Sequence, residues 1–239
     1  MENFTTPDGR RWEMTFCDEF DGTELDLTKW EKGPEVRRQD AGGYWDDAHS
    51  YLDGEGHLVL KASLREDGRP LSGAIRSAGK FEQTYGYFEA RMQLPKTTGY
   101  WAAFWLLCRG MGRGLPSARD GVEIDILESG ECLRGGVNHA IHWGGYRENL
   151  RSTSKCFYDG NWYEGWHTYA LEWTKDAYIF YIDGVETWRT NEPGICGVPV
   201  YVKLSCEFST WPGKIVPDEL PDCMTVDYVR VYKESEESK

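Results

Sequence analysis

The stretch Gly121-Val122-Glu123-Ile124-Asp125-Ile126-Leu127-Glu128-Ser129-Gly130 sets three acids among large aliphatic residues, and the reading of the fold turns on it. Strict alternation puts Glu123 and Asp125 on one face and Val122, Ile124 and Ile126 on the other, the period of two that a half-buried strand requires. The same alternation would carry Glu128 to the apolar face. It joins the other acids only if one extra residue bulges out near Ile126-Leu127, a device that re-aims side chains beside active sites. A face with three carboxylates is costly, because like charges repel and are rarely buried without partners. Three arrangements accommodate it: a solvated edge strand with scattered acids, a calcium cluster of hard oxygen ligands, or two glutamates flanking a sugar-sugar bond, one as nucleophile and one as acid, with Asp125 holding the first. On the bulged strand Glu123 and Glu128 stand about four steps apart, about 13 Å of backbone. Two leaning side chains can close most of that toward the roughly 5–5.5 Å that a double displacement needs.

The rest of the chain reads as a scaffold around this strand. With 239 residues, 40% of them hydrophobic, it can bury one large core, and residues 1–239 are expected to form a single domain. The 27 basic and 40 acidic residues leave a net charge of −13, which opposes binding to phosphate backbones and anionic membranes. No nucleic-acid or membrane partner is expected. There is no 18-residue apolar run, and the opening M-E-N-F-T-T-P-D-G-R lacks the basic and apolar regions of a signal peptide. The compartment is therefore cytoplasmic if Met1 is the native start, and secreted if a signal has been removed. Seven cysteines (Cys17, Cys108, Cys132, Cys156, Cys196, Cys206 and Cys223) lie far apart with no C-x-x-C pair, and their mostly apolar neighbours suit buried thiols that pack as small hydrophobes.

Thr15 to Phe20 reads as a strand running into a turn, and Leu25 to Trp30 as a short turn that packs Trp30. Asp40 to Asp47 combines a Gly pair with Tyr44 and Trp45, which either stack on a sugar face or pack in the core. Tyr51 to Ala62 makes a hairpin at D-G-E-G. Ala74 to Leu94 alternates on both sides of Gln83-Thr84 and is expected to form another hairpin, with Arg76 either on the surface or donating to a sugar hydroxyl or an acid. Tyr100 to Leu107 suits a strand buried on both faces, with Trp101 and Trp105 on the same one. Val137 to Trp143 places His139, Ile141 and Trp143 on one face and Asn138, Ala140 and His142 on the other. Sequential strands are usually neighbours, so one histidine is expected to meet the acids, and His142 is selected. Gly145 to Gly160 reads as a long polar loop, and Trp166 to Trp173 and Ala177 to Ile182 as strands, with a turn at Asp183-Gly184. Val200 to Phe208 and Met224 to Tyr232 are the last strands, either side of an aromatic loop at Trp211-Pro212-Gly213. About a dozen short strands and no helix of three turns argue an all-β sandwich of two antiparallel sheets.

With these strands placed, E-I-D-I-L-E together with Y-G-Y-F-E-A-R, W-A-A-F-W-L-L, W-H-T-Y-A-L-E-W and V-D-Y-V-R-V-Y resembles family 16 of the glycoside hydrolases, the laminarinase and lichenase group, over nearly the whole chain. The acid triplet in its longer, bulged spacing is similar to that of laminarinases and galactan-cleaving members. The resemblance implies a β-jelly-roll, concanavalin-like sandwich with an open concave cleft, and retaining endo-hydrolysis of β-linked glucans or galactans. It implies Glu123 as nucleophile, Asp125 as its helper and Glu128 as acid/base. The physics agrees, since a nucleophile must stay ionised while an acid keeps its proton, and unequal surroundings split two like carboxyls. Arg76, Trp101, Trp105 and His142 fall at substrate-binding positions of the family, and Trp45, Trp143 and Trp211 are further aromatic candidates. No cofactor is implied for catalysis. A structural calcium is implied at the Gly56 carbonyl and Asp227, with Glu19 as a weaker third ligand.

A polysaccharide or oligosaccharide substrate and a monomer are expected. Leu115-Pro116-Ser117-Ala118-Arg119 stands where laminarinases commonly have a Trp-Pro pair, which leaves a β-galactan beside a β-1,3- or mixed β-1,3/1,4-glucan. No basic cluster around the cleft is evident to receive the sulfates of an algal galactan, which favours the glucan. Two rivals stand: a non-catalytic carbohydrate-binding protein on the same sandwich, and an acidic calcium-dependent adhesion sandwich, which would want its acids in turns at sheet ends.

Overall fold

The computed structural model describes residues 4–5, 10–33, 43–130, 135–158, 160–208 and 211–235. Cys132 and the Asp40-Ala41-Gly42 part of the candidate aromatic loop lie outside the described residues. In chain order the strands are β1 (Phe4–Thr5), β2 (Arg11–Asp18), β3 (Glu31–Lys32), β4 (Tyr44–Trp45), β5 (Ser50–Leu52), β6 (Leu58–Leu64), β7 (Pro70–Ser72), β8 (Ala74–Arg76), β9 (Gly86–Gln93), β10 (Tyr100–Cys108), β11 (Glu123–Ser129), β12 (Val137–Trp143), β13 (Arg151–Phe157), β14 (His167–Trp173), β15 (Tyr178–Ile182), β16 (Val185–Thr190), β17 (Val200–Phe208) and β18 (Asp222–Glu234). Helical structure among the described residues is limited to single 3₁₀ turns, and no helix is long and apolar enough to cross a membrane.

The strands form two sheets of a jelly-roll sandwich. One runs β16-β15-β14-β9-β18-β6-β7-β4, with β2 also pairing along β18 and β5 along β6; the other runs β13-β12-β11-β10-β17-β8-β3. Pairing is antiparallel except between β4 and β7. Alternation explains the core. β10 and β17 pair over nine residues, and the side chains of one parity (Tyr100, Ala102, Phe104, Leu106 and Cys108 against Val200, Val202, Leu204, Cys206 and Phe208) are all buried. They join Phe88, Ala90 and Met92 of β9 and Val226, Val229 and Val231 of β18 in one cluster between the sheets. The other parity puts Trp101, Ala103, Trp105, Ser205 and Glu207 on the open cleft, with Lys203 buried in the same row.

Two expected elements differ. Ala74 to Leu94 is not a hairpin, because β8 pairs with β17 and β3 in the smaller sheet while β9 pairs with β14 and β18 in the larger. The segment between them crosses the sandwich, and alternation on both arms reports buried faces rather than a partner. Residues 145–160 are not all loop, since β13 pairs with β12 from Val137↔Phe157 to Trp143↔Arg151. Its R-S-T-S-K-C-F sequence is the polar chemistry of a sheet edge, which hides it from a search for apolar periodicity. The Asp183-Gly184 turn has φ of 50° and 73°, the paired positive angles of a type I′ hairpin. The six described cysteines are free thiols, three buried and three half-buried.

Candidate active site

The acidic strand β11 lies between β10 and β12. Against β10, Trp105 faces Asp125 while Phe104 faces Leu127 and Ala103 faces Glu128, so Ile126 is the extra residue. Against β12, Asp125 faces Ala140 and Glu128 faces Asn138, leaving Ile126 and Leu127 opposite His139 alone. Both bulge side chains are fully buried in the core, and the parity change returns Glu128 to the face of Glu123 and Asp125. The His139 Nδ1–H donates to the Ile126 carbonyl over 2.6 Å. Burial holds the His139 imidazole down at about 4, so the ring is neutral. Entry to the strand is set by Gly121, at φ 155°, where a Cβ would stand 2.2 Å from Cys108 Sγ; only glycine lets β10 and the start of β11 approach so closely.

Four titratable groups share the floor of a cleft of about 600 Å³. Burial, and then the charge of Asp125, raise Glu123 to about 7, against the pull of a hydrogen bond from the Tyr146 hydroxyl to Oε2 and of the His142 and Lys203 charges. Glu128 lies well above the usual carboxylate range, through burial first and Asp125 second, although Asn138 Nδ2 donates to its Oε2 over 3.0 Å. Burial by itself would lower His142, but its contact with Asp125 and the charges of Asp125, Glu123 and Glu128 outweigh that and hold it up at about 9. His142 Nε2 stands 3.1 Å from Asp125 Oδ2. That contact is electrostatic more than directional, since Oδ2 receives no aligned hydrogen bond. Burial and Asp125 thus favour the proton on both glutamates, on Glu128 most strongly, while the surrounding acids favour the charged form of His142. The two glutamates are carboxyls with unlike proton affinities. Among the described residues, Glu123, Asp125 and His142 are also the one group of such side chains that could converge on a metal ion.

The structure brings Trp101, Trp105, His142 and Trp211 into the cleft with the three acids. Trp211, 40% exposed, meets Trp101 edge to face with ring centres 5.2 Å apart. The Trp105 indole N–H donates to Ser205 Oγ over 3.0 Å, and the Lys203 ammonium sits 3.7 Å from that ring's centre and 4.7 Å from that of Trp45. Trp45 itself is buried, with its N–H donating to the Cys206 carbonyl, so it walls the Lys203 site instead of offering an open platform. Arg76 faces Lys203 across β8 and β17 and pairs with Glu31 at 2.9 Å, beyond the residues that line the acid cleft. Trp143 does not join them. One residue after His142, it turns to the opposite face and packs against the core.

Two of the three implied calcium ligands, Glu19 and Asp227, are paired with arginines. Both oxygens of Glu19 accept from Arg230, at 2.8 and 2.7 Å, and Asp227 Oδ2 accepts from Arg91 at 2.5 Å. Sequence reasoning missed Tyr146, Asn138 and Lys203. Asn138 and Lys203 have the cleft parity of their strands, which was the available signal; Tyr146 comes from the β12–β13 connection and gives none. Lys203 and Arg76 share one row of the sheet, and neither is among the residues that line the acid cleft.

Fold and site together define a jelly-roll sandwich with an unlike carboxyl pair on the floor of an open cleft. The profile of the Glycosyl hydrolases family 16 matches residues 38–230, and the chain belongs to that family. It is 29% identical over 260 residues to glucan endo-1,3-beta-glucosidase A1 of Niallia circulans, covering 92% of this chain and 38% of that protein. It is likewise 29% identical over 260 residues to keratan-sulfate endo-1,4-beta-galactosidase of Sphingobacterium multivorum, covering 97% of this chain and 57% of that protein. The chain thus spans less than two thirds of the length of both relatives. The endo-beta-1,3-glucanase of Pyrococcus furiosus superposes with a TM-score of 0.80 at 25% identity, over 99% of each chain.

Proposed function

We propose that this chain is a retaining endo-β-glycosidase that cleaves β-1,3- or mixed β-1,3/1,4-glucans by double displacement. The observation that carries the reading is the bulge at Ile126, which turns two buried carboxyls of unequal proton affinity into one cleft. Glu123, ionised, attacks the anomeric carbon through the oxygen that Tyr146 leaves unbonded. Glu128, protonated, gives its proton to the glycosidic oxygen as the C–O bond breaks and the leaving sugar departs. Glu128, now a carboxylate, then takes a proton from a water that attacks the glycosyl ester, and the sugar leaves with its starting configuration. Asp125 and charged His142 lie beside Glu123 and offset each other's charge. Trp101 and Trp211 offer aromatic surface for sugar faces. The glucan-cleaving names of the Niallia and Pyrococcus proteins support the substrate.

A second reading, hydrolysis of a β-galactan bearing acidic groups, is favoured by the keratan-sulfate-cleaving relative. A reducing-end assay on laminarin, barley glucan, agarose, porphyran, keratan sulfate and xyloglucan separates the two. Laminarin or barley glucan is expected to be cleaved fastest, with Glu123→Gln at least about 1000-fold slower, about 4 kcal/mol of barrier. Binding of a glycan that is never cleaved would instead return the non-catalytic carbohydrate-binding reading.

A further inference from the structure

We infer that Asn138 and His139, consecutive residues of β12, are positioning residues that clamp the bulge from its two faces and so aim the Glu128 carboxyl. The inference rests on the acid/base reading of Glu128. A bulge leaves a backbone carbonyl out of the ladder, and here the carbonyl of Ile126, the extra residue, accepts from the buried His139 ring behind it. Without that donor, a buried carbonyl loses its partner at the one point where parity is reversed. On the cleft side, Asn138 Nδ2 donates to Glu128 Oε2, which fixes that oxygen as an acceptor and leaves Oε1 to carry the proton toward the leaving sugar. Cys156, the next residue along the same row of the sheet, sets the amide's orientation, because its thiol lies 3.3 Å from Asn138 Oδ1. The amide nitrogen is thereby turned to Glu128.

This arrangement makes an asymmetric demand. Proton donation is needed when a sugar alcohol leaves and is not needed when a dinitrophenolate leaves. A fault in aiming Glu128 therefore slows kcat/KM on polysaccharide and spares kcat/KM on a dinitrophenyl β-glycoside, whereas a general structural fault slows both. The test compares Asn138→Leu, His139→Phe and His139→Asn with the wild type and Glu128→Ala on the two substrates. His139→Phe keeps a ring for the stack on Phe180, whose centre is 4.8 Å away, but cannot donate; His139→Asn places an amide N–H near the position of Nδ1. Asn138→Leu and His139→Phe should lose roughly 10- to 100-fold on polysaccharide and stay within about threefold on the aryl glycoside, and His139→Asn should recover most of the loss. Because Asn138 favours the ionised carboxyl, its loss should also move the alkaline limb of the polysaccharide profile, and the Glu128 carboxyl titration followed by ¹³C NMR, to higher pH. The NMR arm needs no turnover. Equal losses on both substrates, no loss on either, a His139→Asn no better than His139→Phe, or an unmoved Glu128 titration overturns the proposal. If Glu128→Ala cleaves polysaccharide at the wild-type rate, the acid/base reading falls first; if Glu128→Ala is crippled while Asn138→Leu and His139→Phe are intact, this proposal falls alone.

Discussion

The charge of His142 helps to keep Glu123 ionised, after burial, Asp125 and the Tyr146 hydrogen bond have set most of its balance, and replacing His142 with Gln removes that charge while keeping a similar volume and a donor. The reacting atoms of Glu123, Asp125 and His142 all lie within 4.8 Å of one another. At an effective dielectric constant of about 20, opposite unit charges at that distance attract by about 3.5 kcal/mol, which corresponds to about 2.5 pH units. The open side of the cleft weakens this, so the expected change is about 1 to 2 units. The sign follows from the role. A nucleophile acts ionised, Glu123 titrates at about 7 with the imidazolium present, and loss of a positive neighbour raises it further. The acid limb of kcat/KM on the best polysaccharide should therefore move to higher pH in His142→Gln, with a rate at pH 6 at least about 10-fold below wild type and a smaller deficit at pH 8. An acid limb that stays in place or moves to lower pH would refute the claim that a charged His142 helps to keep Glu123 ionised. The same residue links pH to stability. A folded-state value of about 9 against an ordinary 6.5 means a contribution fully present below pH 6.5 and lost as pH rises through 9, at most about 3 kcal/mol and less at a partly open site. Urea midpoints of the wild type should fall across that window, and those of His142→Gln should fall less.

Because a double displacement inverts the anomeric centre twice, proton NMR should show the β anomer as first product, with later mutarotation; an α anomer appearing first would refute the nucleophile role of Glu123. Inserting one alanine between Leu127 and Glu128 should shift the parity once more and swing Glu128 toward the core, so polysaccharide turnover should fall at least about 1000-fold, together with a lower Tm; an insertion variant that keeps a tenth of the activity would show that strand parity does not aim Glu128. Trp211→Ala should raise KM about 10-fold at nearly constant kcat, roughly the 1 to 1.5 kcal/mol of one aromatic stack, and an unchanged KM would remove Trp211 from the binding surface. With Glu19 and Asp227 each engaged by an arginine, EDTA should leave the Tm within about 1 °C. A fall of several degrees reversed by calcium would show that a cation displaces Arg91 from Asp227.

How much of this could be read from residues alone follows from what alternation reports. It tells which face of a strand is buried, so β11 and β12 emerge with their faces correct, and with them the acids and His142; β10, expected to be buried on both faces, opens one of them, with Trp101 and Trp105, to the cleft. It does not name a strand's partner, which is why β8 and β9 pass for one hairpin although they lie in different sheets. Nor does it register a strand whose two faces are both polar, as in β13 at the sheet edge. Within the site, Asn138 and Lys203 carry only the parity of their strands, which sets them on the polar face without marking them as functional. Trp143 is the opposite case: its aromatic ring suggests a sugar platform, yet it has the parity of Ile141 and must face the core if His142 faces the acids. That parity also excludes His139 from the cleft, and the exclusion has a use. Adding one residue to β11 leaves Ile126 and Leu127 against a single β12 position, and the residue at that position is His139. A side chain there must enter the core. It must also supply a donor to the carbonyl that the bulge frees, and a neutral imidazole satisfies both conditions where an aliphatic residue satisfies only the first. The histidine that sequence reasoning sets aside therefore stands directly behind the bulge that the acid spacing requires.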